Sequence, residues 1–336
     1  MSNVINTTAG DADPVAGTVT PFSGANTLAP EMKTYYDTEL LVGARPEMVH
    51  AQFGRQQTIP QGRGKVIEWR KFNTLQNAGQ LTEGVIPDGQ KLGVSSITDE
   101  VAQYGTYVSV SDQLELTAVD PVILEANTEL AASAGRTRDE LIRNDIISGT
   151  SVIYARKNGT TDVTSRASLD ATCKLTADTV NRAATFLKKN HAPTIDGCYV
   201  AIIHPSVAYD LRSDPAWLDA HKYAGPNEIF DGEIGKLHGV RFVETTQAKV
   251  LKGEGCPSGL AVYCTLILGK DAYGTVDVNG GGLEMIIHPK HEAGGPLDQF
   301  STIGYKLMTN GAKILYEDRM VRVESCGAYS ATDEAN

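Results

Sequence analysis

Lys65-Val66-Ile67-Glu68-Trp69-Arg70-Lys71-Phe72, then Leu81-Thr82-Glu83-Gly84-Val85-Ile86-Pro87-Asp88-Gly89, then Tyr104-Gly105-Thr106-Tyr107-Val108-Ser109-Val110: these three runs between Gly64 and Asp112 decide how the chain is read. The outer two are rich in β-branched and aromatic residues and predict the two strands of a long hairpin. The middle one is polar and glycine-rich. A hairpin with so little apolar matter between its ends cannot bury a core of its own. A loop of that length is disordered, functional, or ordered by something outside its own domain. The last alternative points to a protein that completes its fold by assembling.

Upstream of the hairpin, residues 2–28 are Thr, Ala, Gly, Asn, Asp and Pro with few large apolar side chains, which predicts a flexible arm. Order is expected to begin near Pro30 and Glu31, which suit the first turn of a helix. Met32, Tyr35, Tyr36 and Leu40 follow at helical spacing, and Pro46 to Phe53 continues the segment. Downstream comes the longest helix of the chain. Asp120 is a good N-cap, Pro121 a good first residue and Gly149 a good stop. Ile123, Ala126, Leu130, Ala134, Leu141 and Ile142 recur between them at helical intervals, so the helix is expected over 121–148, on the order of 40 Å long at 1.5 Å per residue. A further helix opens at Thr176. Tyr199 to Ile203 is a continuous apolar run and predicts a buried central strand, and more strands are expected at Val240–Glu244, Leu260–Leu268, Thr302–Met308 and Ala312–Glu324. The fold class is α+β.

The 336 residues carry 30 Lys and Arg against 41 Asp and Glu, a formal net charge of −11. Gripping nucleic acid over the whole surface needs clustered cations, which this balance excludes while leaving local contacts open. No apolar run approaches the roughly 20 residues that cross a membrane. Residues 1–29 contain no Lys or Arg and no apolar core segment, so no secretory signal is expected there. The five cysteines, Cys173, Cys198, Cys256, Cys264 and Cys326, form no C-x-x-C pair and predict free thiols in a reducing compartment.

The chemical motifs are weak. Gly280-Gly281-Gly282 leads into Leu283-Glu284-Met285-Ile286-Ile287, which predicts a strand, whereas a phosphate loop opens a helix. His288-Pro289-Lys290-His291 has a proline between its imidazoles and no H-E-x-x-H frame. No nucleophile elbow or Walker motif is present, and Cys264 sits inside an apolar strand. A metal-dependent hydrolase built on His204, His221, Asp210 and Asp219 is the rival from another class. No catalytic, cofactor-binding or metal-ligating set is expected. The hairpin charges read differently. Lys65, Glu68, Arg70 and Lys71 lie on its first strand, and Glu83, Asp88, Asp99 and Glu100 on its loop and return. A projecting arm with a basic and an acidic region is expected to dock on a neighbouring copy through complementary patches.

Longer stretches carry a resemblance. Leu28-Ala29-Pro30-Glu31-Met32-Lys33-Thr34-Tyr35-Tyr36, Arg70-Lys71-Phe72, Leu81-Thr82-Glu83-Gly84-Val85 and Pro87-Asp88-Gly89 resemble the tailed-phage major capsid family typified by coliphage N-four. So do Ile202-Ile203-His204-Pro205, Trp217-Leu218-Asp219-Ala220-His221-Lys222-Tyr223, Gly232-Glu233-Ile234-Gly235, Val240-Arg241-Phe242-Val243-Glu244 and Met320-Val321-Arg322-Val323-Glu324-Ser325-Cys326. The similarity runs in order over about residues 28–330. It implies the Hong Kong 97-type capsid fold: a flexible segment at 1–28, an N-terminal arm at 29–60 with contacts through Met32, Tyr35 and Tyr36, and an extended hairpin loop at 61–111. It further implies a peripheral domain at 112–175 with its spine helix at 121–148, an axial domain at 176–288, and peripheral return strands with a tail at 289–336. The implied role is structural. Copies tile an icosahedral shell of hexamers and pentamers around double-stranded DNA, without sequence-specific binding, membrane or cofactor. The shell assembles in the host bacterial cytoplasm and resides in the virion, with scaffolding, portal and decoration proteins as possible partners. The nearest rival is a nanocompartment shell of the same fold.

Overall fold

The computed structural model describes residues 48–336 apart from 61, 63, 73–74, 76, 78–79, 81–88, 118–121, 223–234, 254, 279–281, 290–296 and 298. The arm residues Met32, Tyr35 and Tyr36, the loop residues Glu83 and Asp88, and the cap at Asp120 and Pro121 lie outside the described residues.

Two sheets share one helix. The first sheet is built from β1 (Arg55–Ile59), β4 (Ala102–Ser111), β11 (Tyr273–Val278), β12 (Glu284–His288), β13 (Phe300–Thr309) and β14 (Lys313–Ile314). Its axis is β13, which pairs antiparallel with β4 from Phe300↔Ser111 to Thr309↔Ala102, and with β12 from Glu284↔Lys306 to His288↔Thr302. Gly304 allows the close approach of β4: a Cβ there would meet the Tyr107 Cβ at 2.7 Å. Just beyond β4, the Ser111 hydroxyl accepts the Leu114 N–H at 3.3 Å and opens a short helix, α1 (Asp112–Thr117).

The long helix, α2 (Val122–Ile147), matches the periodicity of its apolar residues within a residue at each end. Its first half lays Leu130, Ala131 and Ala134 on Met285, Ile303, Tyr305 and Leu307 of the first sheet. Its last turns lay Ile142 and Ile146 on a different sheet, against Ile202, Leu266 and Leu268. It ends where the Arg322 guanidinium bonds the Ile147 carbonyl, which supplies a cation at the negative end of the dipole.

That second sheet runs β5 (Val152–Tyr154), β15 (Met320–Cys326), β10 (Val262–Leu268), β6 (Tyr199–Ile203), β8 (Val240–Glu244), β7 (Lys236–Leu237), with β9 (Val250–Leu251) beside β10. All residues of β6 and β10 are buried, as continuous apolar runs require when both faces are covered. One face meets α2. The other meets α3 (Ala177–Lys189), whose Val180, Ala183, Ala184 and Leu187 pack against Ala201, Ile203, Val240, Ile267 and Val321. Thr176 caps α3 by accepting the Thr179 N–H. Two short helices, α4 (Pro205–Arg212) and α5 (Pro215–Lys222), follow β6.

Sheet membership departs from the expected domain ranges. Residues 273–288 belong to the first sheet with β13, not to a unit extending to 288. β5 and β15 belong to the second, paired with each other and with β10, although 112–175 and 289–336 were both expected in the peripheral unit. The chain crosses from the second sheet to the first at Gly269–Ala272 and returns after β14. Such crossings leave no mark on local periodicity.

Candidate assembly surface

The hairpin is shorter at its base than its sequence implies. β2 (Val66–Phe72) pairs with β3 (Val94–Glu100), from Val66↔Glu100 to Phe72↔Val94. Tyr104–Val110, the return strand expected from sequence, is part of β4 and pairs with β13 instead. The pivot is Val101, which is buried and gives its N–H to the Lys65 carbonyl at 2.9 Å. Val-Ser-Ser-Ile-Thr-Asp-Glu in β3 carries one inward apolar residue, Ile97, so its sequence reads as loop. With Ile59, Ile67, Val101, Val276 and Leu315 around it, Trp69 plugs the hairpin base into the first sheet, its ring over Gly274. A Cβ on Gly274 would lie 2.9 Å from the Trp69 ring. Gly274→Val is therefore expected to cost about 1–3 kcal/mol by overpacking, read as a lowered urea midpoint.

The hairpin charges are largely exposed and also meet partners within their own chain. Lys65 is ion-paired with Glu100, Arg70 lies 3.4 Å from Glu68, and Lys71 sits 4.5 Å from the centre of the Tyr316 ring. Beside these exposed charges the hairpin also leaves apolar side chains open: Phe72 59 % exposed, Leu92 58 %, Val94 53 % and Leu75 52 %. The signal was legible as Phe72, Leu75, Leu92 and Val94 flanking a polar loop, but the charged residues between them masked it. A second opening lies on the first sheet. Ile303 and Tyr305 point at α2, so Gly304 and its partner Tyr107 point away from it, and Tyr107 is 54 % exposed.

At the other end of α2 the chain enters the body through a buried clasp. The His50 N–H donates to Asp139 Oδ1 and the His50 ring Nδ1 bonds Asp139 Oδ2, both at 2.6 Å, with both side chains fully buried. The Tyr273 hydroxyl donates to the His50 carbonyl. Three polar groups of one residue are thus held, and Met48, Val49 and Phe53 pack beside Ala51 on Ile142 and Ile146. Sequence reasoning did not single out His50 or Asp139, which lie 89 residues apart with no pattern to join them.

Two residues of the hydrolase alternative are engaged elsewhere. His204 Nδ1 accepts the Ser206 N–H at 3.2 Å and caps α4, while the Asp210 carboxylate accepts the Ala328 N–H at 2.9 Å. Asp219 is on α5, and the His221 side chain lies outside the description. Among the described residues no group of three or more His, Cys, Asp or Glu is placed to hold a metal ion. Burial pushes the Cys264 and Cys326 thiols up to about 12, which keeps them protonated and unreactive. Gly282 leads into β12, a strand. No described helix is long and apolar enough to cross a membrane.

Burial holds His204 below its ordinary pKa, against the opposing pull of Asp333 and Glu244. The unfolded chain therefore takes up a proton first as pH falls. His204 leaves stability intact above about 6.5, the unfolded value, and erodes it on further acidification. His204→Asn keeps a capping acceptor. The expected outcome is a shallower loss of melting temperature between pH 7.5 and 5.5 than in the parent.

The fold and the chain both have relatives. A family model described as phage capsid protein matches residues 97–307, well over half the chain. The capsid of Ralstonia phage GP4 superposes with a TM-score of 0.64 at 17% identity, over 83% of this chain and 88% of that one. The capsid structure of the cyanophage P-SCSP1u gives 0.63 at 16% identity, over 84% and 89%. The cyanophage Pam1 capsid asymmetric unit gives 0.62 at 15% identity, over 93% and 99%. A comparison with curated protein sequences finds no match. The shared α+β architecture is that of the Hong Kong 97-type capsid subunit, and the chain belongs to the phage capsid protein family.

Proposed function

We propose that this chain is a major capsid protein of the coliphage N-four type, building an icosahedral shell of hexamers and pentamers around double-stranded DNA. One observation carries the reading. The hairpin projects Phe72, Leu75, Leu92 and Val94 into solvent, and the rest of the described chain leaves them uncovered. Such a cluster marks a surface that another molecule buries. The hairpin of one copy lies over the open face of the first sheet of the next, near Tyr107, and the undescribed loop with Glu83 and Asp88 extends that contact. Lys71, over the Tyr316 ring, ties the hairpin to its own body, while the exposed Lys65, Glu68 and Arg70 are available to the neighbour beside the apolar cluster. Residues before Met48, with Met32, Tyr35 and Tyr36, continue from the His50 clasp onto a neighbour. Obligate assemblies of this kind bury more than about 2,000 Å² at their interfaces. Assembly takes place in the host cytoplasm, with scaffolding, portal and decoration proteins as expected partners.

Expression of the full chain, followed by sedimentation and negative-stain microscopy, tests this. Closed shells are expected, and in an infected cell they hold nuclease-protected DNA. A stable monomer at high concentration with no particles overturns the reading, and shells filled with a protein cargo favour the nanocompartment.

A further inference from the structure

Many described guanidinium groups are matched to carboxylates of the same chain: Arg138 to Asp277, Arg156 to Asp162 and Asp178, Arg166 and Arg322 to Glu324, Arg212 to Glu244. One rim of the second sheet gathers several cations in one place. Lys236 and Arg241 stand directly opposite each other in the antiparallel β7–β8 pair, and both are exposed. Like charges in that position destabilise a strand pair. The turn between the strands carries exposed His238. Lys188, in the last turn of α3, brings its Nζ to 3.5 Å from the His238 carbonyl, and Lys189 follows it, also exposed. Asp196 lies on the adjoining turn, ahead of Tyr199, whose N–H bonds the Gly239 carbonyl at 2.9 Å. Among the described residues no carboxylate forms an ion pair with Lys188, Lys189, Lys236 or Arg241.

We propose that this rim binds phosphates of the duplex DNA enclosed by the shell. The inference rests on the shell reading above and adds a contact to it. A chain of net charge −11 has no general attraction for a polyanion, so contact depends on a place where cations are concentrated and unmatched. Lys236 and Arg241 repel each other in the bare subunit, and an anion seated between them converts that repulsion into two favourable pairs. A duplex supplies such an anion about every 1.7 Å of its axis. A second copy of this chain offers carboxylates at scattered positions, not in a regular array, and is the alternative occupant that the test separates. Phosphate contacts of this kind hold the backbone without reading bases, so binding is independent of sequence.

Anisotropy of a fluorescein-labelled random-sequence duplex, titrated with unassembled full-length chain over a series of salt concentrations, tests the proposal. Lys236→Gln with Arg241→Gln is expected to weaken binding at low salt by ~10-fold or more. It should also flatten the slope of log affinity against log salt by about two, one unit per cation removed. Arg55→Gln with Arg136→Gln, the same change in net charge placed elsewhere, is expected to leave both unchanged. Equal loss in the two double variants, or loss in neither, overturns the proposal. Unaltered DNA binding with altered self-association also overturns it, and assigns the rim to a second copy. Negative-stain microscopy of the same samples reports separately on shell formation, so failure of the shell reading is distinguishable from failure of the rim.

Discussion

Subunits in which residues 73–93 are replaced by Asn-Gly will fold and will not close into shells. Phe72 and Val94 are directly paired, so a two-residue type I′ turn joins them without changing the strand register. The base keeps Ile67, Trp69, Ile97 and Val101 in the core they share with Val276 and Leu315, and the body keeps its stability. What is lost is Leu75, Leu92 and the segment between them. Fully burying a side chain of this size contributes about 1.5–3 kcal/mol relative to leaving it in water. Each residue here begins half-covered, so each contributes less, but the loss repeats at every contact in a closed shell. The measurement is sedimentation with negative-stain microscopy, beside a urea titration of the subunit. An unchanged urea midpoint with particles absent is the expected pair of results. Particles at the parent's yield would show that the hairpin is not the contact that closes the shell.

Asp139→Ala is expected to remove about 2–4 kcal/mol of stability, because two buried groups of His50 lose their partner at about 1–3 kcal/mol each. Both carboxylate oxygens are used, one by the His50 N–H and one by its ring. Alanine leaves the buried N–H and Nδ1 without acceptor or partner, and an unmet buried donor costs more than the bond itself contributed. Arg143, one turn along the helix and drawing on the Asp139 charge, loses a favourable neighbour as well. Asp139→Asn retains the shape and one acceptor and should fall between the parent and alanine. The check is the urea midpoint together with protease sensitivity near Met48. A midpoint within about 1 kcal/mol of the parent would mean that the clasp contributes little.

The parts of the fold that were legible are those whose burial follows a simple period. Leu130, Ala134 and Ile142 marked α2, and Tyr199–Ile203 and Val240–Glu244 marked β6 and β8, because each segment meets a single uniform environment along a face. β3 was not legible, since its outward residues are polar and only Ile97 turns inward. Ala312–Glu324 was read as one strand; it is β14, a 3₁₀ turn at Glu317–Arg319 and then β15, divided between two sheets. On the hairpin, Lys65 meets Glu100 across the strand pair and Lys71 meets the Tyr316 ring, through geometry that local sequence does not encode. The same holds for His50 with Asp139, where each residue alone reads as an ordinary polar position.

The position of α2 has a thermodynamic consequence. Leu130 and Ala134 complete one hydrophobic core, and Ile142 and Ile146 complete another, on a single uninterrupted rod. Fraying the helix from either end exposes the sheet beneath it, and detaching either sheet strips half the helix. Neither half is a separable melting unit. Heat should therefore unfold the isolated subunit in one transition, and the amides of residues 130–146 should exchange with solvent only through opening of the whole molecule.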